Sequence, residues 1–125
     1  MTWNAWVYSD DWSKQTNLHI VSCTEVGGFN TESGASGYLR FPVHCYKSDG
    51  GTSYYYNNSG LKLADLTPGW HMITYVYTTT SQKVYLDGEF YSTNNVTTYG
   101  IHFNINARLF LGCEASGASP AAPYF

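Results

Sequence analysis

Charge is scarce in this chain. Of 125 residues 12% are charged, six of them basic and nine acidic, and the Lys and Arg side chains stand singly. A protein that follows a phosphate backbone neutralises several phosphates with a basic stripe. Six scattered cations cannot form one, so nucleic acid is not an expected partner. Long apolar runs are missing as well: they extend a few residues, far short of the roughly 20 that span a bilayer. No basic segment followed by an apolar run opens the chain, so neither a membrane anchor nor a signal peptide is expected. Apolar residues never recur in a sustained i, i+3, i+4, i+7 pattern, which argues against amphipathic helices. Cysteine is limited to Cys23, Cys45 and Cys113. The odd count leaves at least one without an intrachain partner, and no CxxC or Cys/His pair has zinc spacing. All three lie in apolar, strand-like runs and read as buried thiols acting as small hydrophobes. His19, His44, His71 and His102 are isolated in sequence and read as strand residues rather than ligands.

What the chain does have is aromatic residues, 18% of the total, in short runs with Val, Ile and Thr between clusters of Gly, Asn, Asp and Ser. That is the pattern of strands and turns in one antiparallel β-domain. Thr2 to Ser9 reads as a strand with Trp3, Ala5 and Val7 on one face and Asn4, Trp6 and Tyr8 on the other. Further strands are expected over Leu18 to Thr24, Phe29 to Glu32, Tyr38 to Tyr46 and Ser53 to Asn57. Pro42 lacks an N–H, which places the fourth of these at an edge or a bulge. Leu61 to Leu66 reads as a connection that tucks its leucines under the core. Trp70 to Thr78, Lys83 to Leu86 and Glu89 to Ser92 form a meander, with Asp87-Gly88 supplying the positive φ values of a tight hairpin. Arg108 to Cys113 is expected as a strand with Leu109 and Leu111 facing inward, and the final twelve residues as loop. No internal repeat is present.

Three segments carry a resemblance: Gly69-Trp70-His71-Met72-Ile73-Thr74-Tyr75, then Lys83-Val84-Tyr85-Leu86-Asp87-Gly88-Glu89, then Leu109-Phe110-Leu111-Gly112. With the early strand around Trp6-Val7-Tyr8, the order resembles the concanavalin A-like lectin and glucanase superfamily, its laminin G-like branch in particular. The resemblance covers about residues 2 to 113 and implies an antiparallel β-sandwich of jelly-roll type. It also implies an extracellular, cell-surface or virion-associated setting. Members of that family usually continue past the Leu-Gly strand into an aromatic-rich closing strand, whereas this sequence ends at Pro123-Tyr124-Phe125. The expectation is therefore an excerpt of a longer chain, or a sandwich completed by a strand from another chain, since an unpaired edge is a template for one.

Chemistry is harder to find. Retaining glycosidases place two carboxylates about 5–5.5 Å apart, and the superfamily's enzymes carry closely spaced acidic residues on one strand. No such strand exists here. Glu25 and Glu32 are divided by a Gly-Gly turn, Asp10 and Asp11 point to opposite faces, and Asp87 and Glu89 flank a hairpin turn. There is no Gly-x-Ser-x-Gly elbow either. The chain is expected not to be an enzyme. The resemblance brings calcium into view, with Asp49, Asn57, Asn58, Asn94 and Asn95 as oxygen donors, yet calcium wants six to eight oxygens. Every one of these is also an ordinary turn residue.

Binding is what the composition offers. Planar aromatics beside Asn and Gly complement the apolar faces and polar edges of sugars. Tyr54, Tyr55 and Tyr56 followed by Asn57 and Asn58 form the densest such group, with Tyr54 and Tyr56 on one face of a strand. Tyr54, Tyr56, Asn57, Asn58 and the loop residue Trp12 are the expected ligand-binding residues; the same tyrosines would equally serve to cover the sheet or pack against another chain. The expected function is a non-catalytic recognition module for a glycan or a protein surface. The alternative is a structural or assembly domain of a phage-type or surface protein.

Overall fold

The computed structural model describes residues 1–15, 18–23, 27–55, 58–103, 108–116 and 119–123. Thirteen strands follow in chain order: β1 Thr2–Ser9, β2 His19–Ser22, β3 Asn30–Ser33, β4 Tyr38–Arg40, β5 Val43–Tyr46, β6 Thr52–Tyr55, β7 Asn58–Lys62, β8 Gly69–Tyr77, β9 Ser81–Leu86, β10 Glu89–Asn95, β11 Phe110–Leu111, β12 Cys113–Ser116 and β13 Ser119–Pro123. Helix is confined, among the described residues, to 3-10 turns at Trp12–Lys14 and Leu63–Asp65, and no helix is long and apolar enough to cross a membrane. Among the described residues every strand pairing is antiparallel.

The fold is the antiparallel β-sandwich that the sequence pattern predicts. One sheet runs β1-β8-β9-β10 and the other β11-β2-β3-β4-β7, with β5-β6 and β12-β13 as two-stranded ribbons. Alternation along β1 sends Trp3, Ala5 and Val7 to the core; Trp6 and Tyr8 face solvent. Across it, β8 sends in His71, Ile73, Tyr75 and Tyr77. The opposing sheet answers with Ile20, Leu39 and Leu61. At the centre Phe41 and Tyr75, both fully buried, stack at 4.7 Å with Trp3 tilted against them. Asp87-Gly88 makes the expected tight reversal, with φ of 53° and 88°, and Asp87 Oδ1 accepts the Met72 N–H at 2.7 Å. The two sheets meet on one flank where the Tyr91 hydroxyl donates to the Gly60 carbonyl at 3.3 Å. On the other flank β1 and β11 are the end strands of their sheets.

Several expectations need correction. The run from Tyr38 to Tyr46 is not one strand. It breaks at Phe41-Pro42, and its halves join different sheets, because Pro42 has no N–H to continue a ladder while its carbonyl is taken by the Asn30 N–H at 2.8 Å. The leucine connection contains a strand, β7, before its 3-10 turn, although Leu61 and Leu63 are buried as expected. Leu109 and Leu111 do not face inward; Leu111 is 73% exposed. The final twelve residues, read as loop, include the β12-β13 hairpin. Cys23 and Cys45 are buried free thiols as expected, whereas Cys113 is only half-buried.

Candidate functional site

Of the five residues expected to bind ligand, the three that are described, Trp12, Tyr54 and Asn58, do not share one site. Asp11 caps the first 3-10 turn, its Oδ1 accepting the Ser13 N–H at 3.1 Å, and this rolls Trp12 under the sheet. Trp12 is 3% exposed and meets the His71 ring edge-on at 5.8 Å. It is a core residue, with no face left for a ligand. Tyr56 and Asn57 lie outside the described residues. Asn58 is exposed, but its Oδ1 accepts the Gly60 N–H at 3.1 Å and serves the local turn. Tyr54 alone stands on a surface that could receive a ligand, 38% exposed.

That surface is built by the β5-β6 ribbon. Alternation along β5 buries Val43 and Cys45 and turns His44 and Tyr46 outward. Register sets His44 opposite Tyr54, and the two rings stack at 4.3 Å with an interplanar angle of 11°. A third segment lies along the other side of β5: Ile101 bridges Cys45, the Tyr46 N–H donates to the Gly100 carbonyl at 3.0 Å, and the His102 N–H donates to the His44 carbonyl at 2.8 Å. His102 therefore faces outward beside His44, with ring centroids 4.8 Å apart and Nδ1 atoms 3.4 Å apart. Tyr46 completes the group edge-on to His102 at 5.1 Å. The result is a row of rings, Tyr54, His44, His102, with Tyr46 at its rim.

Backbone contacts make the row rigid. The Gly28 N–H donates to the His102 carbonyl and the His44 N–H donates to the Gly28 carbonyl, both at 2.7 Å, so three chain segments hold one another. Gly28 has φ +107°, and a Cβ there would lie 2.9 Å from Cys23 Sγ; only glycine fits. Burial, and then repulsion from His102, pull the His44 pKa below the ordinary histidine value. Two of the four residues, His44 and His102, were read from sequence as isolated strand residues. The alternation that turns His44 and Tyr46 outward is visible in the sequence; the pairing of positions 44 and 102 is not.

A second surface lies at the open flank. There a cleft of about 310 Å³ runs between β1 and the β2-β11 edge, lined by Ala5, Trp6, Val7, Tyr8, Ile20, Val21, Trp70 and Leu111. Tyr8 and Trp70 are register partners with rings 5.4 Å apart, and Trp70 is 63% exposed. The lining contains no charged residue. Its volume suits a small ligand, yet such sites combine apolar walls with a few polar groups, and this cleft offers little beyond the Tyr8 hydroxyl. Three carboxylates elsewhere are engaged. Glu32 Oε1 accepts from Arg40 Nη2 at 2.6 Å and its Oε2 from Asn30 Nδ2 at 2.7 Å, while Asp87 Oδ2 pairs with His71 Nδ1 at 2.7 Å. Asp49 Oδ1 accepts the Gly51 N–H at 2.8 Å within its own turn. Among the described residues no three His, Cys, Asp or Glu side chains gather in one place.

Comparison with known proteins gives a family and a similar solved structure. A family model of laminin G type, described as the concanavalin A-like lectin/glucanases superfamily, matches residues 1–124. No curated protein matches the chain. Three solved chains match. One is the crystal structure of the binding domain of Paraclostridial Mosquitocidal Protein 1, at 14% identity and a TM-score of 0.45. The match covers 88% of this chain and 32% of that one.

Proposed function

This chain belongs to the concanavalin A-like lectin/glucanases superfamily, and from that premise we propose that it is a non-catalytic recognition module that binds carbohydrate on the row Tyr54, His44, His102 and Tyr46. One observation carries the reading. Four rings with polar edges share one face of a three-segment sheet, held by the Gly28 contacts and partly open to solvent. Ring faces complement the C–H faces of a sugar, and imidazole nitrogens and phenolic hydroxyls meet its hydroxyls. A platform fixed before binding loses little entropy on association. The test is a glycan array probed with the whole chain, with and without calcium, followed by titration of any hit. Removing one stacking ring, by Tyr54→Ala, takes away about 0.5–1.5 kcal/mol, a loss of roughly two- to twelvefold in affinity. Silence across the array, or a hit indifferent to Tyr54→Ala and Tyr46→Ala, would refute the reading.

The assembly reading has its own support at the open flank. β1 ends its sheet with eight residues that include no charge and no proline, the devices that usually discourage edge pairing. Beside it lies the apolar cleft. A strand carried by another chain would find backbone partners on β1 and apolar side-chain space next to it. Sedimentation analysis separates the two readings. A concentration-dependent dimer abolished by a charge at an exposed position of β1, such as Asn4→Lys, favours assembly; a monomer that binds glycan favours recognition.

A further inference from the structure

We propose that the facing Nδ1 atoms of His44 and His102 form a two-histidine site for a borderline divalent cation, with Zn²⁺ as the reference ion. The argument begins with what two imidazole nitrogens need when they point at each other. If both carry lone pairs they repel, so a proton or a metal ion belongs between them. The spacing lies at the long end for a shared proton, since hydrogen bonds donated by nitrogen to oxygen cluster at about 2.7–3.2 Å. Two nitrogens bound to one tetrahedral ion, at about 2.0–2.1 Å each, are separated by about 3.3–3.4 Å. The observed distance is 3.4 Å.

The setting agrees with the second case. Both residues sit on strand segments whose backbones are cross-linked through Gly28, so the spacing is imposed by the sheet. The rings are inclined at 75° with their centroids 4.8 Å apart. Imidazole nitrogen selects zinc, copper or nickel over calcium and magnesium, which prefer oxygen. Among the described residues no third His, Cys, Asp or Glu joins the pair. The open coordination positions go to water or to an oxygen of a bound molecule. The site shares residues with the proposed glycan platform but does not depend on it, because the metal alone is the probe.

The experiment titrates ZnCl₂, and separately CaCl₂, into the whole chain by calorimetry. In parallel, long-range ¹H–¹⁵N correlation spectra follow the histidine ring nitrogens. The expected result is one saturable Zn²⁺ per chain, movement of the Nδ1 signals of His44 and His102 together, and no response to Ca²⁺. His44→Gln and His102→Gln should each weaken Zn²⁺ binding by at least about tenfold, since loss of a mere outer-shell partner commonly costs 10–100-fold. Where a variant fails to fold, the Nδ1 signals of the unaltered chain decide. The proposal is overturned by absent or non-saturable Zn²⁺ binding, by binding that survives either substitution, or by Nδ1 signals that respond to pH but not to Zn²⁺.

Discussion

Replacing Asp87 with asparagine should lower thermal stability near pH 5.5 and lose most of its effect by pH 9. His71 is the reason. Its Nδ1 lies 2.7 Å from Asp87 Oδ2 and its Nε2 lies 2.9 Å from the Thr67 carbonyl. Neither acceptor can donate, so both ring nitrogens must, and the ring is an imidazolium. Burial pulls the His71 pKa down, but the bonds to Asp87 and Thr67 and the attraction of the carboxylate outweigh it and leave the value raised. For Asp87 burial acts upward, while the His71 bond, the Met72 amide and the His71 charge together hold the carboxyl below its ordinary value. A raised histidine stabilises fully below its unfolded value of about 6.5 and loses that contribution as pH rises through the folded pKa. A lowered carboxylate stabilises above about 3.8 and loses its contribution as pH falls through the folded pKa. Both contributions are complete from about pH 4 to 6.5. In the Asp87→Asn variant the new side chain would tolerate the left-handed φ and keep an oxygen for the Met72 N–H, so the substitution isolates the charge. A charge-assisted hydrogen bond is worth about 1.5–3 kcal/mol. Asp87 is 45% exposed, which screens the pair and brings the figure to about 1 kcal/mol, or about 3–5 °C in Tm for a chain of this size. Melts followed by circular dichroism at pH 5.5 and pH 9 read the difference, and adding His71→Gln should remove the pH dependence of the Asp87→Asn effect. An equal loss at both pH values would refute the charged pair.

Three further outcomes follow from other parts of the sandwich. Phe41→Ala removes a fully buried ring stacked on Tyr75 and should cost about 3–5 kcal/mol, measured by urea denaturation; a cost below about 1.5 kcal/mol would mean that the core closes over the gap. Gly28→Ala combines φ +107° with a Cβ 2.9 Å from Cys23 Sγ and should destabilise by about 1–3 kcal/mol. Its chemical-shift changes should be largest at His44 and His102, the backbone partners of Gly28. A thiol reagent applied to the native chain should label half-buried Cys113 before Cys23 and Cys45, whose thiol pKa values burial raises; mass spectrometry of the labelled chain would show the reverse order if the core assignment were mistaken.

Features set by neighbours in sequence were readable from sequence. The faces of β1, the Asp87-Gly88 reversal and the β8-β9-β10 meander depend on period-2 alternation and turn chemistry, both local. Some errors fall where a distant contact decides, others where local chemistry was misjudged. Leu109 and Leu111 do share a face, as alternation requires, but which face meets the core depends on what packs against it. Trp12 follows Asp10 and Asp11 and so reads as a loop residue; Asp11 uses its carboxylate to cap the turn that carries Trp12, and Trp12 is buried. The Ser- and Ala-rich stretch after Cys113 has the composition of a loop, because strand propensity records side-chain packing and a ribbon can form through its backbone alone.

The proposed site shows the same division more sharply. Tyr54 was legible because a run of tyrosines in a strand must turn at least one ring outward. His44 and Tyr46 were legible in part, since their neighbours Val43 and Cys45 take the inward positions. His102 was not, because its place beside His44 depends on a pairing between segments 58 residues apart and on the Gly28 contacts that hold both. The outward half of the alternation is the half that the core does not constrain. A solitary histidine in a strand acquires chemical meaning only once the register across the sheet supplies its neighbour, and here the register supplies a second histidine with its Nδ1 facing the first.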